Sequence, residues 1–290
     1  MMPLRGRGGA AVREKFIEAL IFTSAPIVVL IFVAILAYIF ANGARVITLE
    51  FLLSTPRLAG MEGGIFPMIV GSVYVVAVCM LFAVPLGVGA AIYLAEYASE
   101  NIITSTIRFF IDCLAGVPSI VIGLFGLTFL VHFLKLGYSI LAAGVALAFM
   151  ILPWTVRVSE EAIKAVPRSY REASLALGAT KWTTIRRVVL KSAMPGIVTG
   201  VLLGLGRAIG ETAVLLLTLG SAASAFIPTS PLDSAGTLPV LLYVLATQGN
   251  TADAYARACG VALVLLAMFL VVNIFALYVR NRYIKRYEGL

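Results

Sequence analysis

The chain has 290 residues, of which 61% are hydrophobic and 12% charged, and its mean hydropathy is +1.03. A water-soluble fold of this size has no place for so much apolar surface, so a soluble enzyme or binding module is excluded and the lipid bilayer is the solvent. The formal net charge of +8 points to nucleic acid only if the basic residues share one accessible patch, and they do not.

Six stretches are apolar enough and long enough to cross a hydrocarbon core that needs about 20 helical residues: about 16–41, 67–95, 107–131, 138–156, 193–219 and 258–279. Residues 1–15, rich in Gly and Arg, read as an unstructured cytoplasmic tail with some attraction to anionic lipid, and 281–290 as a second tail. Between them lies one transmembrane domain, 16–280, and no soluble domain is predicted. The basic residues cluster at Arg5, Arg7, Arg13 and Lys15, within 157–191, and at Arg280, Arg282, Lys285 and Arg286; the opposite loops hold only Arg45, Arg57, Lys135 and Arg257. By the positive-inside rule both termini and the 157–191 insert are cytoplasmic in a cell membrane, and no nucleic-acid partner is expected.

Taken in order, the first stretch is an anchor, since its apolar run exceeds the h-region of a signal peptide. The loop 42–66 carries Pro56, Gly60, Gly63 and Gly64 and no chemical cluster. The second span holds Pro85, Gly87 and Gly89, so a kink is predicted there, structural or hinge-like. The third begins near Gly116-Val117-Pro118-Ser119 and continues through Gly123 and Gly126, which suit close helix packing. The fourth ends in Leu152-Pro153-Trp154, with Trp154 as an interfacial anchor and Arg157 just beyond. In the outer loop 221–257 the apolar piece 238–246 is too short to span, and either dips into the interface or caps a pore mouth. Cys79, Cys113 and Cys259 lack metal-type spacing and read as buried small hydrophobes, with no disulfide.

The polar insert is the anomaly of the chain. Ser169-Tyr170-Arg171-Glu172 has the form of a capping box, Pro167 favours a break ahead of it, and Gly178 suits a helix end. A helix over 170–177, about 12 Å long, follows, and Thr180 is placed to cap a second helix that runs into the fifth span. Tyr170, Ala173 and Leu177 form a small apolar face on a helix too short to be stable alone. Its partner is either the bilayer surface or a groove on another subunit.

The second anomaly is Arg207, about 14 residues into the fifth span and so about 21 Å along it, where an arginine costs on the order of 3 kcal/mol on insertion scales. Glu211 follows at i+4, which allows a local ion pair; alternatively the two groups face a wet cavity or a partner subunit, with Arg207 available to an oxyanion and Thr212 adjoining. Gly196, Gly200 and Gly204, continued by Ala208, form a small-residue ridge that permits close helix approach.

Glu172-Ala173-Ser174, three residues and Gly178 resemble the EAA loop of bacterial ABC importer permeases, with Ser174 in place of the second alanine and Lys191 where that pattern has proline, the nearest being Pro195. Four blocks in order, PLGVGAAIYLAEY (85–97), AGVPSIVIGLFGL (115–127), VPRSYREASLALGATKWTT (166–184) and RAIGETA (207–213), resemble the PstA-type permease subunit of phosphate ABC importers. The likeness covers about 71–220, with a weaker echo at 237–249. It implies an all-α membrane protein of six transmembrane helices with the type I (MetI-like) importer fold, both termini cytoplasmic, and a cytoplasmic coupling helix. It also implies that Tyr170, Glu172, Ala173, Ser174, Leu177 and Gly178 meet an ATPase, and that Arg207, Glu211 and Thr212 lie on the path of inorganic phosphate. The implied partners are a PstC-type second permease, a PstB-type ATPase dimer and a PstS-type extracytoplasmic phosphate-binding protein. The chain has no G-x-x-x-x-G-K-[ST] loop, so it is read as a transport subunit and not an enzyme, with ATP and Mg on the partner ATPase and no cofactor of its own. Alternatives are another tetrahedral oxyanion (molybdate, tungstate or sulfate) or an ion-coupled secondary transporter. The latter calls for intramembrane relay groups, yet Glu211 is the only acid deep in a predicted span and His132 lies near an edge.

Overall fold

The computed structural model describes residues 7–220, 226–249 and 251–288. The first six residues of the predicted tail, 221–225 and 250 of the outer loop, and 289–290 lie outside the described residues.

Helix α1 (Arg7–Gly43) starts well before the predicted anchor, because Ala, Arg, Glu and Lys in 10–18 favour helix and join the apolar run without a break. Its membrane-length part, Phe22–Gly43, has an apolar window of which 0% is buried. The loop after α1 then folds into α2 (Leu49–Leu53), capped by the Thr48 hydroxyl, and a two-residue hairpin, β1 (Pro56–Arg57) against β2 (Glu62–Gly63). In this hairpin Pro56 faces Gly63 and Arg57 faces Glu62. Helix α3 (Phe66–Ile92) is the second span; it ends in a π turn, Tyr93–Tyr97, closed by the Ala98 amide on the Tyr93 carbonyl at 2.9 Å.

The predicted third span is two pieces. Helix α4 (Ile102–Ala115) stops at Gly116, and α5 (Ser119–Phe125), extended by a π segment Gly126–Phe133, leaves at a bend of 102°. Pro118 lacks an N–H and disfavours helical backbone at Val117, which breaks the ladder there.

Helix α6 (Ile140–Lys164) is the axis of the bundle, with 67% of its apolar window buried. Its first N–H groups are met by the Asp233 carbonyl at 2.9 Å, the Pro231 carbonyl at 2.7 Å and the Ser139 hydroxyl at 3.2 Å. Ala142, Ala143 and Ala146 let α3 come close, so that Val75, Val78, Cys79 and Ala83 close the main core. At Gly144 a Cβ would lie 2.5 Å from Val78 Cγ1, which is why the position is bare. The helix runs to Lys164, so the predicted insert begins inside it, and Trp154 sits mid-helix on an exposed flank rather than at an end.

Next come α7 (Arg168–Ala176), α8 (Lys181–Thr184), a π segment Ile185–Val189 and α9 (Leu190–Ile209). Residues Lys181–Ile209 form one continuous membrane-length helix. The predicted fifth span breaks at Gly210, and α10 (Ala213–Leu219) resumes after Thr212. Helix α11 (Leu238–Gln248), the short apolar piece of the outer loop, buries Leu238, Leu241 and Leu245 in a cluster with Ile65, Met68, Ala258 and Val261. Helix α12 (Ala252–Glu288) continues through most of the predicted carboxy-terminal tail. Gly43 at the end of α1 rests on α12, where a Cβ would meet the Cys259 carbonyl carbon at 2.6 Å. Cys79 and Cys259 are buried, whereas Cys113 is exposed on α4, and all three are free thiols.

The glycine ridge lies against α6: Cβ atoms built at Gly196, Gly200 and Gly204 would meet Ala162 at 2.5 Å, Val158 at 2.9 Å and Thr155 at 3.3 Å, and Ala208 is fully buried. Because α6 side chains press directly on the bare α9 backbone here, Gly200→Leu is expected to reduce the permease extracted from membranes in monodisperse form several-fold. Gly89→Ala, where nothing lies within 4 Å of the new Cβ, leaves it unchanged. Immunoblotting of size-exclusion fractions reads both.

Candidate functional site

Breaking the fifth span at Gly210 explains how an arginine and a glutamate are tolerated there. Arg207 occupies the last turn of α9, where unsatisfied carbonyls and the negative end of the helix dipole favour a cation. Glu211 sits past the break and turns to the next helix: its Oε1 accepts the Ala213 amide at 3.1 Å and the Val214 amide at 3.4 Å. The local Arg207–Glu211 ion pair that the spacing allows is absent from the described residues, because the two no longer share one helix face. Each charge is held by its own half-helix end. Thr212 is the residue from which α10 starts, and its carbonyl accepts the Leu216 amide at 2.9 Å.

Arg207 is exposed, and its guanidinium carbon lies 5.9 Å from the centre of the Trp154 ring, within cation–π range. One turn further along α6 stands Arg157, paired with Asp112 of α4 at 2.5 Å and with Glu161 at 3.7 Å. Trp154, Arg157 and Asp112 belong to this face although the sequence reading gave them no role in it; the i, i+3 spacing of Trp154 and Arg157 was the available signal. The face can hold an anion: Arg207 offers planar N–H donors with no carboxylate bound to them among the described residues. Such a group is stable at membrane depth only beside water or protein.

The polar insert presents α7, which has no buried residue. Tyr170 is 52% and Leu177 89% exposed, and Glu172 and Ala173 are exposed as well. The helix begins at Arg168 after Pro167, with no side-chain cap, so the predicted capping box does not form; Ser169 is already helical, and Pro167 fixes the start. At the other end Gly178 has φ +83°, its amide bonds to the Leu175 carbonyl at 2.9 Å and the Ala179 amide to Ser174 at 3.2 Å, the two bonds of a Schellman stop. Thr180 caps α8 through the Thr183 amide at 3.3 Å, and the Ser174 and Thr184 hydroxyls meet at 2.9 Å. The exposed helix is thus pinned to the helix that carries Arg207.

A set of buried charges beneath α7 was not anticipated. Arg171 donates to Glu96 Oε1 from Nη2 at 2.7 Å and from Nε at 3.0 Å, and to the Ile163 carbonyl at 2.9 Å. Glu160 accepts from Arg108 at 2.9 Å and Lys164 at 2.7 Å. The Glu96 and Glu160 side chains are each only 8% exposed.

Membrane-length helices, one broken between Arg207 and Glu211 and another bent at Gly116–Pro118, together with the exposed helix α7, make up a multi-pass membrane permease subunit. The model of the family described as binding-protein-dependent transport system inner membrane component matches residues 83–288. The chain belongs to this family. It is 38% identical over 276 residues to a probable ABC transporter permease protein, YqgI, of Bacillus subtilis, covering 91% of this chain and 94% of that one. It is 39% identical over 218 residues to the phosphate transport system permease protein PstA 1 of Mycobacterium tuberculosis strain H37Rv, covering 75% and 70%. A probable PstA protein of Methanocaldococcus jannaschii is 36% identical over 223 residues, covering 77% and 76%. Among solved structures, a chain of the bacterial alginate ABC transporter in complex with its alginate pentasaccharide-bound periplasmic protein superposes with a TM-score of 0.69 at 13% identity, covering 94% of this chain and 96% of that one. One of the inward-facing MetNI methionine ABC transporter gives 0.57 at 20% identity, covering 77% and 96%. These two establish the type I ABC importer permease fold.

Proposed function

We infer that this chain is the membrane permease subunit of an ATP-driven importer of inorganic phosphate and forms half of its translocation path. The observation that carries the substrate is the exposed Arg207 guanidinium, free of carboxylate partners among the described residues, in a chain whose relatives include permeases of phosphate transport systems. Arg207, Glu211 and Thr212 line the path at the helix break. The exposed face of α7, with Tyr170, Glu172, Ala173, Ser174, Leu177 and Gly178, seats a cytoplasmic ATPase that carries ATP and Mg. A second, related permease closes the open side of the Arg207 face, and an extracytoplasmic phosphate-binding protein delivers the anion. Both termini and α7 are cytoplasmic.

The test is the intact complex, purified with its binding protein. That protein is expected to hold phosphate, and uptake into proteoliposomes to require ATP inside the partner compartment and to persist when ion gradients are collapsed. Molybdate, tungstate or sulfate on the binding protein would reassign the anion, since a lone guanidinium recognises any tetrahedral oxyanion. Uptake that stops with the gradient would overturn the ATP-driven reading.

A further inference from the structure

Arg171 lies on α7, but its side chain points away from the exposed docking surface. Its guanidinium is 20% exposed and closes three elements together. It binds Glu96 in the π turn that ends α3, the Ile163 and Val166 carbonyls where α6 runs out of helical partners, and, through its own backbone, α7. A π turn inserts one residue into the helical count and aims side chains off the regular helix face, which brings Glu96 under α7. The same turn is held from a second side, for Lys181 Nζ sits 4.6 Å from the centre of the Tyr97 ring. The turn is therefore gripped by one cation from each of α7 and α8, the two short helices of the insert.

We propose that Arg171 is a positioning residue for energy coupling: it ties the docking helix to α3 through Glu96, so that displacement of α7 moves the second span together with α9. The inference rests on α7 being the ATPase seat, as read above. Without the link, α7 keeps its Ser174–Thr184 contact to the α8–α9 helix and its covalent connection to α6, and the π turn that ends α3 is held from the insert only by the Lys181–Tyr97 contact. Displacement of α7 then moves α3 less. The two charges differ from the docking residues in being shielded, so their loss acts on transmission and leaves the docking surface intact.

The experiment uses the complete complex in proteoliposomes, with Arg171→Gln, Glu96→Gln and the conservative Arg171→Lys. The two glutamine variants are expected to retain the ATPase through purification and to hydrolyse ATP, while phosphate moved per ATP falls about tenfold; Arg171→Lys recovers much of the ratio. A second readout is independent of the transported anion: an environment-sensitive probe on Leu86→Cys of α3, in a background without the native cysteines, responds to ATP in the parent and not in Arg171→Gln. An unchanged ratio and probe response in both glutamine variants overturns the proposal. So does release of the ATPase by Arg171→Gln, failure of both glutamine variants to accumulate, or a parent probe blind to ATP. Failure of the docking reading is separate, and shows as ATPase retention by a variant with a charge placed on the exposed Leu177.

Discussion

Arg207→Ala is expected to lower phosphate uptake by about a hundredfold or more while the assembled complex is recovered in normal amount. The basis is the way the charge is supported. Its stabilising partners are the end of α9 and the Trp154 face, neither of which is a carboxylate that the mutation would orphan. Removing it costs the fold little, since Glu211 remains bonded to the Ala213 and Val214 amides. What disappears is a set of planar donors at the break. Arg207→Lys keeps the charge and loses the fork, so uptake falls to an intermediate level. Radiolabelled phosphate uptake, scored beside complex recovery, decides the matter: normal uptake by Arg207→Ala would leave Arg207 no part in the path.

Leu177→Asp is expected to release the ATPase from the complex and abolish ATP-dependent uptake, without reducing the permease in the membrane. At 89% exposure the new carboxylate breaks no internal contact. An apolar side chain that projects beside a Schellman stop is stabilised only by a partner's groove, and a charge placed there must be desolvated on docking. Gly178→Asp tests the same surface differently. There is room for a Cβ, but φ is +83°, so the helix end is strained and α8 is re-aimed. Co-purification of the ATPase measures both; retention with full transport would remove α7 from coupling.

The sequence is informative where the physics is local. Long apolar runs locate the membrane helices, Gly178 and Thr180 mark the stop and start around the α7–α8 corner, and glycines at intervals of four trace the α9 flank that meets α6. Composition at Gly116-Val117-Pro118 and Gly210-Glu211-Thr212 also contains the helix breaks, but hydropathy averages over them, and each pair of half-helices reads as one span. The capping box at Ser169 fails because Pro167 takes the N-cap position and starts the helix two residues earlier, at Arg168. Trp154 reads as an interfacial anchor from its neighbours in the chain, and its contact with Arg207, on another helix, has no local signal. The Arg171–Glu96 pair, 75 residues apart, has no local signature at all. Its geometry depends on a π turn that propensity does not encode.

One consequence of the break at Gly210 concerns the order in which the molecule is put together and the places where it loosens. Helix α10 has 7 residues, about 10 Å, and cannot hold itself across a bilayer. It settles only when α5 is already in place, because Gly123 receives Ala213, Val214 and Leu217, and Gly126 receives Thr218. That seam joins segments about 90 residues apart and closes after α3 and α6 have packed together. The last part to assemble is also the first to open in native-state fluctuations. Amide exchange is therefore faster along α10 than along α6, and the helix break beside Arg207 breathes at its seam while the axis of the bundle stays shut.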